Sequence, residues 1–247
     1  MARSEGPNLT HRIVEALGVA IVSGKYSPQN PFPIEAELCT QYGASRSVLR
    51  EAVKMLTAKG LLSARPRQGT WIQPEEDWNL LDPDVLRWLL ERKITFAVLR
   101  DFALVRLAVE PQAAALAARI ATPDAKRAIR AAIEQMALAD KDEADPLVAD
   151  IAFHVAILRA GGNRFFAQLS GVTETALRFS IRMQDRYKGV RRASVDDHRR
   201  IADAILAGDA VAAQEAARVL IQEALDLIIK AEAEKAFEPT SKPRRSK

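Results

Sequence analysis

Two sets of side chains in this 247-residue sequence have types and spacings that could do chemistry. Asp150 and His154 stand four residues apart, and His198, 44 residues further on, is one of only three histidines. A carboxylate and an imidazole at i and i+4 share a helix face, and a histidine from another helix could complete part of a site for zinc or a similar divalent metal. The same spacing is typical of a surface ion pair or of a histidine satisfied in a core, so spacing alone leaves these interpretations open.

The second set is basic. Residues 44–73 contain six basic side chains and one acidic one, for a net charge of +5, whereas the whole chain carries only +4. Arg46 and Arg50 are four apart and share one face near the start of a predicted helix, where a recognition helix reads the DNA major groove. The residues that we predict to contact DNA are Ser45, Arg46, Ser47, Arg50, Arg65, Arg67 and Gly69. The alternative is a solvated basic face on a protein-binding module.

The basic set must be positioned by an N-terminal domain, which we place at residues 1–74. A short helix that stops at Gly43 and a second helix capped by Ser45 have the spacing of a helix-turn-helix. Two short apolar runs then flank the turn from Arg65 to Gly69 and predict a β-hairpin wing.

The acid and histidine set must be positioned by a C-terminal domain. We predict a linker with a short interdomain helix at 75–94, an all-helical effector-binding and dimerisation domain at 95–236, and a disordered basic tail at 237–247. The predicted fold class is therefore mainly α, a winged helix-turn-helix followed by a helical bundle.

Composition excludes several classes of protein. Hydrophobic residues make up 48% and charged residues 28% of the chain, which is ordinary for a globular protein. The single cysteine, Cys39, cannot form an intramolecular disulfide and fits a reducing compartment. The N-terminus lacks the apolar region of a signal peptide, and the most apolar stretch is interrupted by charges. We expect a cytoplasmic protein that does not enter a membrane.

Motifs in the N-terminal domain resemble the GntR family of bacterial transcription regulators. They are Pro33-x-Glu35-x-x-Leu38, Gly43-x-Ser45-Arg46, Arg50-Glu51-Ala52 and Gly60-Leu61. The resemblance implies that Arg46 and Arg50 contact the major groove of double-stranded DNA and that the wing near Gly69 enters the minor groove. Members often carry a basic residue where this chain has Ala36, so one DNA contact of the family is absent here.

The C-terminal domain resembles the FCD effector domain of FadR-type members of that family. The motifs are Arg106-x-x-x-Glu110, Asp150-x-x-x-His154, Gly162-Asn163 and His198-x-x-Ile201. The resemblance implies a divalent metal held by Asp150, His154 and His198. Many members add a fourth ligand, a histidine on the last helix, where this chain has Leu220.

The segment from Trp78 to Glu91 is similar to the galactonate-operon repressor branch of the family, which responds to a sugar acid. The likeness implies that Arg106, and as a second candidate Arg178, bind the carboxylate of a small effector. The alternative for Arg106 is an ion pair with Glu110 on the helix surface. We expect the Trp78–Glu91 segment to pack between the domains.

These features together predict a ligand-responsive repressor and not an enzyme. A homodimer would read a pseudo-palindromic operator, and a small hydroxy-carboxylate such as an aldonate would release it. One alternative is a metal-dependent hydrolase built on Asp150, His154 and His198, although no glutamate has the spacing of a metalloprotease base. The others are a FadR-like regulator that binds another carboxylic acid or an acyl-CoA, and a helical adaptor whose winged helix binds protein.

Overall fold

A computed structural model describes residues 9–27, 29–65, 69–92, 95–186 and 194–237, without the side chains of 92, 181–186 and 235–237. The chain divides into two compact units at residues 93 and 94. Arg67 and the predicted tail from residue 238 onward lie outside the described residues. No helix in the described ranges is long and apolar enough to cross a bilayer.

The first unit is a winged helix-turn-helix followed by one more helix. In chain order it contains α1 (Leu9–Val22), α2 (Glu35–Tyr42), α3 (Arg46–Ala58), β1 (Leu62–Arg65), β2 (Gly69–Ile72), a 3-10 turn (Glu75–Asp77) and α4 (Pro83–Arg92). Large apolar side chains from α1, α2 and α3 form its core, among them Leu17, Leu38 and Leu49, each at most 1% exposed.

The turn between α2 and α3 is fixed by local chemistry, which is why the sequence predicts it. Gly43 follows α2 with φ of +59°, a left-handed conformation that glycine adopts without a steric penalty. Ser45 then caps α3, because its side chain accepts a hydrogen bond from the Val48 amide. The wing is an antiparallel pair in which Leu62 lies opposite Ile72 and Arg65 opposite Gly69.

Helix α4 packs on α1 within the first unit. Trp88, only 2% exposed, lies directly over Gly18 of α1. Arg87 adds a bidentate ion pair to Glu15, with Nη1–Oε1 at 2.9 Å and Nη2–Oε2 at 2.6 Å. The first compact unit therefore includes α4.

We expect Gly18→Ala to destabilise the first unit by about 1–3 kcal/mol, the usual cost of overpacking a core. A β-carbon at Gly18 would lie 2.4 Å from Cζ3 of Trp88. The backbone of α1 fixes the position of that β-carbon, so the contact cannot be relieved by a side-chain rotation of the alanine. The direction is informative, because Gly→Ala in an open helix stabilises by up to about 1 kcal/mol. Urea unfolding should show the loss, whereas Val19→Ala, at a neighbouring exposed position, should change stability little. A more stable Gly18→Ala protein would contradict this packing.

All of the regular secondary structure in the described residues of the second unit is helical. It contains α5 (Phe96–Ile120), α6 (Pro123–Ala139), α7 (Pro146–Ala160), α8 (Arg164–Gln168), α9 (Ser170–Arg186), α10 (Val195–Ala207) and α11 (Ala210–Phe237). Side-chain caps begin several of these helices: Thr95 for α5, Thr122 for α6, Asp145 for α7 and Ser194 for α10. Small buried side chains such as Ala113 and Ala117 line α5 and allow neighbouring helices to approach closely.

One predicted helix differs from the observed structure. The sequence predicts a single long helix from Asn163, but the structure has the short α8, a break at Leu169 and then α9. The Ser170 hydroxyl donates a hydrogen bond to the Ala167 carbonyl at 2.7 Å. Such local side-chain bonds offer the backbone an alternative to the helical pattern, which accounts for an interruption here.

Candidate functional site

Two exposed arginines on α3 share one partner on α2. Arg50 Nε donates to Glu35 Oε2 at 3.0 Å, and Arg46 Nε lies 4.0 Å from Glu35 Oε1. The two side chains are 65% and 77% exposed, so both guanidinium groups face solvent. The bond to Glu35 raises the pKa of Arg50, which is therefore charged at any physiological pH. This arrangement holds two guanidinium groups side by side at the start of the recognition helix.

The other predicted DNA contacts flank this pair or lie on the wing. The Ser45 and Ser47 hydroxyls are 2.9 Å apart, and Ser45 also caps α3. Arg65, at the end of β1, has its guanidinium carbon 5.4 Å from the centre of the Trp71 ring. Gly69 has φ of +98°, and no described residue lies within 4 Å of where a β-carbon would stand, so backbone there can approach a partner closely.

Lys59 does not belong to the free basic surface, although the sequence counted it there. Its Nζ donates to Asp82 Oδ2 at 2.7 Å and to Asp84 Oδ2 at 2.9 Å, and the side chain is only 13% exposed. The two carboxylates outweigh the opposing effect of burial and raise the pKa of Lys59. This lysine connects the end of the recognition helix to the start of α4. Its positive charge is paired with two carboxylates and is not available to bind DNA.

The second unit contains a cavity of about 720 Å³ between its helices. Arg106, Asp150, His154 and His198 contribute polar groups to the wall, while residues such as Leu99, Met136, Leu177 and Leu220 contribute apolar surface. Arg178 is not among the lining residues; its Nη2 pairs with Glu174 Oε1 at 2.8 Å, and the side chain is 41% exposed. The structure thus brings one of the two predicted effector arginines to the cavity.

The three predicted metal ligands meet at the cavity wall. One ligand atom from each of Asp150, His154 and His198 can be chosen so that all lie within 4.8 Å of one another. Asp150 Oδ1 is 3.2 Å from His198 Nε2 and 3.9 Å from His154 Nε2. Burial alone would raise the pKa of Asp150, but the two histidines and Arg106 hold it below its usual range. The carboxylate is therefore charged where the imidazoles converge.

Hydrogen bonds on the far side of each ring leave both Nε2 atoms facing Asp150. His198 Nδ1 lies 3.0 Å from the Ser194 carbonyl, which can only accept, so Nδ1 carries a proton. His154 Nδ1 lies 2.7 Å from Glu110 Oε2, a carboxylate oxygen. His198 Nε2 is buried and has no hydrogen-bond partner within the described residues. Protein metal sites have this pattern, in which the second ring nitrogen of each ligand histidine donates to an oxygen.

Arg106 and Glu110 form a buried ion pair. The alternative that the sequence offered was an ion pair on the helix surface. Arg106 Nε donates to Glu110 Oε1 at 2.6 Å, and the side chains are 10% and 4% exposed. Burial would raise the pKa of Glu110, but the charge of Arg106 and the hydrogen bonds that Arg106 and His154 donate hold it far below its usual range. Sequence reasoning missed Glu110 as part of the site. The i,i+4 spacing to Arg106 was the available signal. It predicts that the two side chains pair, whereas only the burial of the pair places Glu110 in the site.

The contacts of Arg106 also define what it can still bind. Its Nη2 is 3.1 Å from both ring nitrogens of His154. A nitrogen equally distant from both lies off the ring plane and not along a lone pair, so the Nε2 lone pair stays free. Nε and Nη2 donate hydrogen bonds to Glu110, whereas Nη1 forms no hydrogen bond or ion pair with a described residue. Arg106 therefore offers the cavity chiefly Nη1, the nitrogen that could donate to the carboxylate of an effector.

The first unit is a winged helix-turn-helix with exposed arginines on its recognition helix, and the second unit is a helical bundle with a cavity between its helices. Together these features define the class of two-domain DNA-binding regulators. Residues 9–72 match the model for bacterial regulatory proteins of the gntR family, and residues 101–223 match the FCD domain. The chain belongs to the GntR family of transcription regulators and carries an FCD domain, and it is not an enzyme.

Individual relatives agree with this assignment. The chain is 35% identical to the galactonate operon transcriptional repressor of Escherichia coli over 87% of this chain and 94% of that protein. It is 32% identical to YieP, an HTH-type transcriptional regulator of the same organism, over 87% of this chain and 93% of that protein. Among solved structures, Lar of Listeria monocytogenes shares the fold, with a TM-score of 0.54 at 19% identity over 92% of this chain and 99% of that one.

Proposed function

We propose that this regulator is a homodimeric repressor that a small hydroxy-carboxylate, such as an aldonate, releases from its operator. The observation that carries the proposal is the meeting of Arg106 with Asp150, His154 and His198 at the wall of one cavity. The resemblance to the galactonate operon repressor supports a sugar acid as the effector. A single recognition helix reads too few base pairs for specificity, so two copies reading a pseudo-palindrome are expected.

The residues at the cavity wall fit a divalent metal. Asp150 supplies a charged oxygen, and the two histidines supply Nε2 atoms whose Nδ1 partners are already satisfied. The unpartnered Nε2 of His198, facing a carboxylate at 3.2 Å, is the polar atom that a cation would satisfy. Zinc accepts this nitrogen and oxygen donor set, and three protein ligands leave coordination positions open. Leu220 stands where the family adds a fourth ligand, and it lines the same cavity.

Charge in the cavity explains why a cation would matter for an anionic effector. Among the described residues, six carboxyl side chains and two cationic ones line it, and Glu110 already holds Arg106. A bound divalent metal would offset part of that negative charge and accept oxygen atoms from a carboxylate and its neighbouring hydroxyl. The Nη1 group of Arg106 then donates a charge-assisted hydrogen bond to the same carboxylate.

The proposal is tested by titrating operator-bound protein with a panel of aldonates and with an acyl-CoA, before and after chelation. We expect an aldonate to release the DNA, and Arg106→Ala to bind DNA normally but to need at least about tenfold more effector, since a charge-assisted hydrogen bond contributes about 1.5–3 kcal/mol. Because Arg106→Ala leaves Glu110 buried without its cation, Arg106→Lys serves as a second variant that keeps the charge but removes the fork. Release by the acyl-CoA alone would contradict the sugar-acid assignment.

A further inference from the structure

We propose that Glu110 is a positioning residue of the metal centre, which fixes the proton of His154 on Nδ1 and so presents the Nε2 lone pair to the site. The proposal rests on the proposed metal site and assigns a role to a residue outside its three ligands. Glu110 is 4% exposed. Its Oε2 lies 2.7 Å from His154 Nδ1 and 3.2 Å from Arg106 Nη2, and its Oε1 accepts from Arg106 Nε at 2.6 Å.

The first step of the argument is the direction of the hydrogen bond between Glu110 and His154. The buried carboxylate is paired with the Arg106 guanidinium at 2.6 Å and accepts hydrogen bonds, so its short contact with Nδ1 places a proton on that nitrogen of the imidazole. A neutral imidazole has one proton, and Nε2 is therefore left with its lone pair. That atom lies on the side of Asp150, 3.9 Å from Oδ1.

The second step is that Arg106 holds Glu110 in this orientation. Every nitrogen of a guanidinium is a donor, so Arg106 can satisfy a carboxylate oxygen but can never accept. His154 has no such restriction, because its proton can move from one ring nitrogen to the other. Of the two partners of Glu110, only the histidine can change its hydrogen-bonding role.

The substitution Glu110→Gln turns this asymmetry into a measurable result. Arg106 contacts both oxygens of Glu110, with Nε 2.6 Å from Oε1 and Nη2 3.2 Å from Oε2, and an amide replaces one of these oxygens by an NH2 donor. We expect the amide oxygen to keep the shorter contact with Arg106 Nε, which places the NH2 group beside His154, whose Nδ1 becomes the acceptor. The proton moves to Nε2 and occupies the lone pair that a metal needs. We therefore expect a tautomer change at His154 and a fall of about 10–100-fold in zinc affinity, the usual cost of losing such an orienting partner.

The experiment measures both quantities on the full chain. Long-range proton–nitrogen NMR spectra of chelator-treated protein, at a pH where imidazole is neutral, report which nitrogen of His154 carries the proton; a protein with three histidines gives few signals to assign. Competition with a chelating dye gives the zinc affinity. The matched control is Glu174→Gln, because Glu174 pairs with Arg178 at the same i,i+4 spacing but neither residue lines the cavity.

The expected result is a proton on Nδ1 in the wild-type protein and on Nε2 in Glu110→Gln, with weakened zinc binding in that variant alone. A wild-type His154 protonated on Nε2, or a Glu110→Gln protein that binds zinc as tightly as wild type, would overturn the proposal. The wild-type spectrum decides the matter even if Glu110→Gln does not fold. If wild-type protein binds no zinc, the proposed metal site fails, while the tautomer of His154 still tests the role of Glu110 separately.

Discussion

Arg50→Ala is expected to abolish specific operator binding while leaving the protein folded. A well-placed arginine–guanine contact is worth about 1–3 kcal/mol of discrimination. A dimer would lose one such contact in each half-site, so the combined loss reaches at least about 30-fold in affinity. The side chain is 65% exposed and contacts Glu35 from the surface, so its removal leaves no core cavity.

The matched control for Arg50→Ala is Arg218→Ala. Arg218 is also an exposed arginine with a glutamate partner, Glu215, but it lies on α11 in the second unit. The two variants remove the same charge, so a difference between them reports a local contact and not the overall charge. The operator is first selected with wild-type protein from random DNA and then used in electrophoretic shift assays at physiological salt. Near-wild-type binding by Arg50→Ala would contradict the assignment.

Asp150→Asn is the second variant with a large expected effect, the loss of zinc binding. Asp150 is the anionic member of the three-ligand set and the one that both histidines face. Wild-type protein purified without an affinity tag should contain roughly one ion per chain, since three protein ligands are the usual set of an open zinc site. Removal of the negative ligand atom by an isosteric amide should leave the variant without metal by the same elemental analysis.

Thermal unfolding provides an independent measurement of the same loss. A metal that binds only the folded protein stabilises it by about 2.7 kcal/mol at one hundred times its dissociation constant. Added zinc should therefore raise the unfolding temperature of wild-type protein and leave that of Asp150→Asn unchanged. Asp140→Asn is the control, because Asp140 also lines the cavity but is not one of the three clustered ligands. Equal zinc responses in wild type and Asp150→Asn would rule out this carboxylate as a ligand.

Much of the fold could be predicted because local chemistry determines where the helices begin and end. Ser45, Thr122 and Asp145 each cap the helix that follows, and glycine at position 43 ends α2. Such signals need only neighbouring residues, so a single sequence contains them. The break between α8 and α9 escaped prediction because Ser170 is compatible with a helix interior as well as with an interruption.

The partners of charged side chains were much harder to predict than the helices. Lys59 contributes to a basic run in the sequence, but in the structure it is paired with carboxylates more than twenty residues away. Glu110 is a plausible surface partner by spacing, and only the packing of α5 against α7 buries it beside His154. Spacing shows which residues share a face, whereas tertiary packing determines which faces meet.

The packing of Trp88 over Gly18 affects where two regulators of this kind should be joined in a chimeric protein. A chimera designer who cuts at residue 74, where the wing and its flanking residues end, would separate α1 from the helix that covers it. The donor head would then expose the apolar surface that Trp88 covers, and Lys59 would lose both of its carboxylates. A transplanted DNA-binding head should instead extend through Arg92, so that the new effector module begins after a complete fold.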